Sequence, residues 1–402
     1  MPPNPASASQ VILCLNSGSS SLKFALYRLG DGEEVRLAHG AAERIGLAGG
    51  HLWIRGTDND ALVDIHRDFP GHTAAADGIA AAAKDLGLPP PEAVGHRVVH
   101  GGPDHTAPER VDAQLLAELQ RLVAFAPLHL PSAIQGIEAA TARFPGLPQV
   151  AGFDTAFHRR MPEVAQRFPL PHDLWHAGIR RYGFHGLSYE YIVATLGAAA
   201  QGRLVIAHLG TGASLAAVHH GRRLDTTMRF TPTGGVMMGT RSGDLDPGVL
   251  LHLMHARGYD GHQVEHLVNH QAGLLGVSGI SPDMQTLLEQ REREPHAAQA
   301  IELFCYQLRK HIGALTAVRG GLDTLVFTGG IGEHAAPVRW EVCRGLAYLG
   351  IDLDPQRNAV HADVISTLGS ACMVRVIPTN EDLMIARQTR TLLFPTAAAQ
   401  HP

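Results

Sequence analysis

The chain has 402 residues, 45 % hydrophobic and 18 % charged, which is apolar enough for a sizeable core and excludes a mainly disordered protein. A net charge of −5 leaves no electrostatic footprint for nucleic acid, and no apolar run approaches the roughly 18 residues of a membrane span. The four cysteines, Cys14, Cys305, Cys343 and Cys372, are widely spaced; this excludes a disulfide framework and fits a reducing, cytoplasmic setting.

Residues 1–10 are rich in Pro, Ser and Ala and read as a disordered tail without a basic n-region. Residues 11–15 read as a buried strand, Asn16 to Ser21 as a turn and residues 22–29 as a second strand. A hairpin turn at residues 30–32 leads to a third strand near residues 35–41. The apolar stripe of Leu115, Leu116, Leu119, Leu122 and Val123 predicts a helix over residues 111–125. Ser132 with Gln135 reads as a capping box opening a helix to about Arg143.

The opening pattern returns near residue 203. Residues 203–209 form a predicted strand, Gly210 to Ser214 a turn, residues 215–219 a strand and residues 223–228 another. Thr211-Gly212-Ala213-Ser214 corresponds to Ser17-Gly18-Ser19-Ser20. Three strands and two turns in matched order point to a duplicated unit and two similar domains. A helix over residues 298–318, ended by Gly320-Gly321, runs into a strand at residues 324–327. Alternating strands and helices predict an α/β architecture.

Four Gly-containing loops follow apolar strands, at residues 16–21, 208–214, 234–248 and 328–333. Gly-rich turns let backbone N–H groups approach an anion, and four of them favour a nucleotide with several phosphates. Neither a Walker-type motif nor Gly-x-Gly-x-x-Gly after a strand occurs. His66-Arg67-Asp68 mimics a protein-kinase catalytic loop, but Thr73 stands where Asn is required. The 25 histidines contain no His-Glu-x-x-His and read as compositional bias.

Two arginines, Arg97 and Arg241, lie in Gly-flanked segments and suit bidentate binding of carboxylate or phosphate. The alternative for each is an arginine tying loops together. Asp154 ends a short strand, and Glu381 and Asp382 follow another at a helix start. Acids at strand ends suit metal–phosphate chemistry; first-turn charge complementing the helix dipole is the blander role for Glu381 and Asp382. His185 sits between Phe184 and Gly186 in a Gly-flanked stretch.

Together these segments resemble the acetate kinase family from Val11 to about Arg390. The matching stretches are Asn16 to Lys23, Gly95 to Gly102, Ala126-Pro127-Leu128-His129, Phe153 to His158, Tyr182 to Gly186, Met238 to Asp246 and Ile377 to Glu381. The resemblance implies two domains built on a duplicated actin-like and sugar-kinase-like (ribonuclease H-like) unit with an active-site cleft between them. The expected division is residues 11–154 with 385–402 as an N-terminal acyl-side domain, and residues 155–384 as a nucleotide-binding domain.

The resemblance also implies reversible phosphoryl transfer between ATP and acetate, giving ADP and acetyl phosphate, with Mg²⁺ (replaceable by Mn²⁺) and a homodimer. By motif, Arg97, Asp154, His185 and Arg241 correspond to catalytic positions, and Asn16 and Glu381 to the magnesium-associated pair. Arg97, Val99, Leu128, Phe184 and Pro232 correspond to the acetate site. Lys23, His208, Leu209, Gly210, Thr211, Gly212, Asp283, Met284, Gln285, Gly330, Ile331, Gly332, Glu333 and His334 correspond to ATP contacts. The chain departs from the usual family pattern at Thr211, Ser242, Met284, Gln285, Gly329 and His334. A propionate kinase of the same family and an ATP-gated actin- or chaperone-like binding protein are the alternatives.

Overall fold

The computed structural model describes residues 9–30 and 32–395. The predicted tail therefore lies outside the described residues except for Ser9 and Gln10, as does Asp31 of the first hairpin. The chain divides into two compact units, Met1–Phe157 with Asn380–Pro402, and His158–Thr379. The divide falls a few residues from the expected 154 and 385; the helix Glu381–Leu393 packs against the first unit's sheet and so belongs to that unit from its start.

Among the described residues the first unit carries eight strands: β1 (Gln10–Gly18), β2 (Ser21–Leu29), β3 (Glu34–Glu43), β4 (His51–Gly56), β5 (Ala61–His66), β6 (Ala93–Val98), β7 (Glu109–Arg110) and β8 (Gln149–Phe153). Their order is β5-β4-β3-β2-β1-β6-β8-β7. β1 to β5 form an antiparallel meander, and β6 and β8 join β1 in parallel. One face packs Leu13, Leu15, Phe24, Leu26 and Ile54 against the helices His72–Asp85 and Leu130–Arg143. The other receives the helix Glu381–Leu393.

The second unit carries β9 (Leu204–Leu209), β10 (Ala213–His219), β11 (Arg222–Thr226), β12 (Thr324–Thr328) and β13 (Met373–Val376), in the order β11-β10-β9-β12-β13. β9 to β11 are antiparallel; β12 and β13 are parallel to β9. The second sheet thus repeats the β3-β2-β1-β6-β8 part of the first, three antiparallel strands followed by two parallel ones, and the antiparallel three are those the matched hairpins predict. No helix among the described residues is long and apolar enough to cross a membrane.

Three local expectations are corrected. The turn after β1 is shorter than residues 16–21: Gly18 pairs with Ser21, so Asn16 is a strand residue registered with Lys23. Ser132 is no N-cap; the helix starts at Leu130 with Pro131 in its first turn, where a missing N–H costs nothing. The Gly330 segment is the short helix Gly329–His334, not a loop. Its Glu333 Oε1 accepts from the Gly329 N–H at 2.8 Å, closing a turn that glycine content alone disfavours.

Candidate active site

In the first unit, parallel pairing sets Arg97 opposite Gly152, so Arg97 and Asp154 emerge at the C-terminal ends of neighbouring strands. Arg97 Nη2 donates to Asp154 Oδ2 at 2.8 Å and Nε faces both Asp154 oxygens at 3.2–3.3 Å. Its Nη1 donates to Glu381 Oε2 at 2.8 Å. Asp154 is 1 % exposed, so the carboxylate is buried against a cation that satisfies it. Burial works against the Arg97 charge, but Asp154 and Glu381 outweigh it and hold the guanidinium pKa above its ordinary value.

Glu381 opens the helix Glu381–Leu393. The N-cap Asn380 Oδ1 accepts from the Leu383 N–H and from the Tyr27 hydroxyl, both at 3.0 Å, which ties the helix start to β2. Cys14 Sγ donates to the Asp382 carbonyl at 3.2 Å. Asn16 lies two residues beyond Cys14, on the same face of β1. Burial first, and then Glu381, push the Asp382 carboxyl up to about 6. Gly95 permits this packing: a Cβ there would lie 2.4 Å from Thr389 Oγ1 and 2.5 Å from Ile385 Cγ2. Of the expected acetate contacts in this unit, Val99 is half-buried after β6, and Leu128 is 41 % exposed.

In the second unit, His185 takes a left-handed conformation (φ 57°) at the N-cap of the helix Gly186–Leu196. His158 Nε2 donates to the Phe184 carbonyl at 3.0 Å, fixing the preceding residue. Burial lowers the His158 pKa to about 4, so the ring is a neutral donor. His185 Nδ1 lies 2.9 Å from Ser214 Oγ, which also hydrogen-bonds the Tyr189 hydroxyl. His208 Nδ1 lies 2.8 Å from Ser188 Oγ, itself bonded to Thr379 Oγ1. The two imidazoles stack with centroids 4.3 Å apart.

With both Nδ1 atoms engaged, the Nε2 atoms face the glycine turn after β9. A Cβ on Gly212 would lie 3.3 Å from His185 Nε2 and 3.8 Å from Arg241 Nη1, and one on Gly210 would lie 4.0 Å from His208 Nε2. Arg241 Nη1 also donates to the buried Pro232 carbonyl at 3.4 Å, and burial lowers its pKa from the ordinary guanidinium value. Gly239 N donates to the Thr211 carbonyl at 3.0 Å, joining the Arg241 segment to the turn.

The other expected nucleotide segments adjoin this turn. The Cβ position of Gly239 is 3.1 Å from the Pro282 carbonyl, and that of Gly329 is 2.8 Å from the Leu209 carbonyl. Several of their side chains are engaged locally. Asp283 Oδ2 caps the Thr286 N–H at 2.8 Å, Met284 is buried in the core and Gln285 donates to Glu289. Glu333 Oε1 accepts from Gly329 and Thr379 amides. Gly330 and His334 are exposed, Ile331 half-buried, and Gly332 and Phe184 buried.

Sequence reasoning missed Ser188, Tyr189, Ser214 and Thr379, which orient the two histidines. A signal existed for two of them, since Ser188 and Tyr189 follow His185 by three and four residues, one helical turn.

Residues 11–387 match the acetokinase family. A Rhodopseudomonas palustris acetate kinase is 47 % identical over 391 residues, covering 94 % of this chain and 97 % of the relative. The crystal structure of Porphyromonas gingivalis acetate kinase matches with a TM-score of 0.87 at 38 % identity, covering 96 % of this chain and 100 % of that one. A Francisella tularensis propionate kinase structure matches with a TM-score of 0.89 at 34 % identity, over 95 % and 99 % of the two chains. With nearly its whole length matched and close to half its residues shared with such a relative, this chain belongs to the acetokinase family.

Proposed function

We propose that this enzyme transfers the γ-phosphoryl group of ATP reversibly to acetate, giving acetyl phosphate and ADP. The observation that carries the reading is the convergence of His185 Nε2 and Arg241 Nη1 on Gly212, in a turn whose amides suit phosphate. An acetate oxygen attacks phosphorus in line, the P–O bond to ADP breaks, and ADP leaves with the electron pair. Acetate is ionised at neutral pH, so no proton is removed. The work left to side chains is positioning and neutralising charge on the equatorial oxygens.

In this reading Arg241 and His185 meet the transferring phosphoryl, and Arg97 orients the acetate carboxylate. Asp154 fixes the Arg97 fork and moves no proton. Val99, Leu128, Phe184 and Pro232 shape the methyl site. Lys23, the residues 208–212, 283–285 and 330–334 serve ATP. In the last two segments the engaged side chains leave this role mainly to backbone groups.

Asn16 and Glu381 would hold Mg²⁺. Both offer hard oxygen donors, and Glu381 Oε1 accepts no hydrogen bond from a described residue, which suits a cation that keeps most of its waters. When bound, the ion supplies charge neutralisation on the phosphate oxygens. The reading extends to a cytoplasmic homodimer, by family resemblance and cysteine usage.

Trapping the acyl phosphate with hydroxylamine, using acetate, propionate and butyrate in turn, tests the assignment. Acetate is expected to give the highest kcat/KM. One methylene discriminates by only about 1–3 kcal/mol, so some propionate turnover is expected. Higher kcat/KM with propionate would reassign the substrate, and ATP hydrolysis without acyl hydroxamate would indicate a binding protein.

A further inference from the structure

The outward face of the β3–β4–β5 meander carries a group of metal-ligating side chains unconnected with phosphoryl transfer. Register places Glu43 opposite His51 and His51 opposite His66, so three adjacent strands present one row. Asp64 lies two residues before His66 and shares its face. The alternate residues Leu52 and Ile54 point into the core, at 2 % and 0 % exposure. His51 is half-buried, and Asp64 and His66 are exposed on the edge strand of the sheet.

The His51 and His66 rings stack with centroids 4.7 Å apart. His51 Nε2 lies 2.8 Å from Asp64 Oδ1, and its Nδ1 lies 3.6 Å from Glu43 Oε2. One ligand atom from each of His51, Asp64 and His66 falls within 4.8 Å of the others.

We propose that His51, Asp64 and His66 form a binding site for a late first-row dication of the Zn²⁺ class. Two imidazoles and a carboxylate match the preference of that class, and solvent completes a tetrahedron on the exposed side. Ligands of tetrahedral zinc sit about 3.3 Å apart. Side-chain rotation at His66 and Asp64, both exposed, closes the remaining gap without moving the backbone. The metal replaces the His51–Asp64 hydrogen bond at Nε2. Glu43 then accepts from Nδ1–H, fixing the tautomer, as carboxylates behind metal-bound histidines do. Because β5 is the edge strand, occupancy staples it to β4.

The test is equilibrium dialysis of the metal-stripped full chain against Zn²⁺, with millimolar Mg²⁺ present to fill any hard-oxygen site. One tight Zn²⁺ equivalent is expected. His66→Ala and Asp64→Ala are each expected to weaken it at least about tenfold, and Glu43→Gln less. His66 is exposed, so its variant is expected to fold, and acetate-dependent turnover without Zn²⁺ should be unchanged. A Co²⁺-loaded wild-type chain should show tetrahedral visible absorption that His66→Ala loses. Three results would each overturn the proposal: no retained Zn²⁺, Zn²⁺ displaced by Mg²⁺, or a tight equivalent unchanged in both His51→Ala and His66→Ala.

Discussion

Arg97 turns one edge of its guanidinium, Nε and Nη2, to Asp154 and the remaining nitrogen, Nη1, to Glu381. A planar fork can satisfy two carboxylates in this way; an ammonium cannot. Arg97→Lys is therefore expected to lower kcat by about 10²–10³. Asp154→Asn keeps one acceptor oxygen and should lower kcat less. If Asp154 only orients Arg97, the pH profile of kcat keeps its shape in Asp154→Asn. Loss of a single ionisation from that profile would instead identify Asp154 as a proton carrier.

Glu381 and Asp382 are neighbours in one turn with opposite expectations. Glu381→Gln should fold normally, lose most activity, and regain part of it at raised Mg²⁺ or with Mn²⁺. Asp382 has its carboxyl pKa raised to about 6; a raised acid stabilises below its unfolded pKa and loses that contribution as pH rises through 6. At neutral pH, Asp382→Asn should therefore keep turnover and gain on the order of 1 kcal/mol in denaturant unfolding. Equal kinetic damage from both variants would count against a metal role for Glu381.

Ser214 bridges His185 Nδ1 and the Tyr189 hydroxyl. Ser214→Ala releases the imidazole from its orientation and removes the hydrogen bonds to His185 Nδ1 and the Tyr189 hydroxyl, a loss of about 1 kcal/mol or more in stability. Steady-state kinetics should show kcat falling with little change in the KM for acetate. Tyr189→Phe is expected to be milder, since Ser214 still holds the ring.

Burial lowers the pKa of His96 and of His158 from 6.5 to about 4. The unfolded histidines take up protons below about pH 6.5 while the folded ones stay neutral to about 4. Stability from each is thus intact above 6.5 and drains through that window, by up to about 1.4 kcal/mol per pH unit. Urea unfolding at pH 7 and pH 5 should show the loss, and His96→Gln and His158→Gln should each flatten the dependence.

The repeated hairpins were legible because their strands are short apolar runs closed by glycine turns, and the structure keeps both, down to the turns after β1 and β9. The β4–β5 hairpin was not. Its sequences HLWIRG and ALVDIH bury only alternate residues or almost none, so hydrophobicity does not announce them. Arg97, Asp154 and Glu381 could be singled out by residue type at strand ends. Their mutual contact could not, since 284 residues separate Arg97 from Glu381 and only the sheet brings them together. Ser214 escaped for a related reason: it lies 29 residues from the His185 ring that it holds, and a hydroxyl carries no distinctive spacing at that range.

The interrupted course of the first unit sets an order of events during synthesis. Residues 158–379 are continuous and can complete their own sheet as they leave the ribosome, whereas the sheet bearing Arg97 waits for its covering helix until residues 381–393 have been made. Until Glu381 arrives, Arg97 has only one of its two acidic partners, and the Cys14 and Gly95 face of the sheet stands uncovered. A nascent chain is accordingly most exposed to chaperones and proteases on its earliest-made strands, and a truncation directly after residue 379 leaves the first unit without its covering helix while keeping every residue of the second.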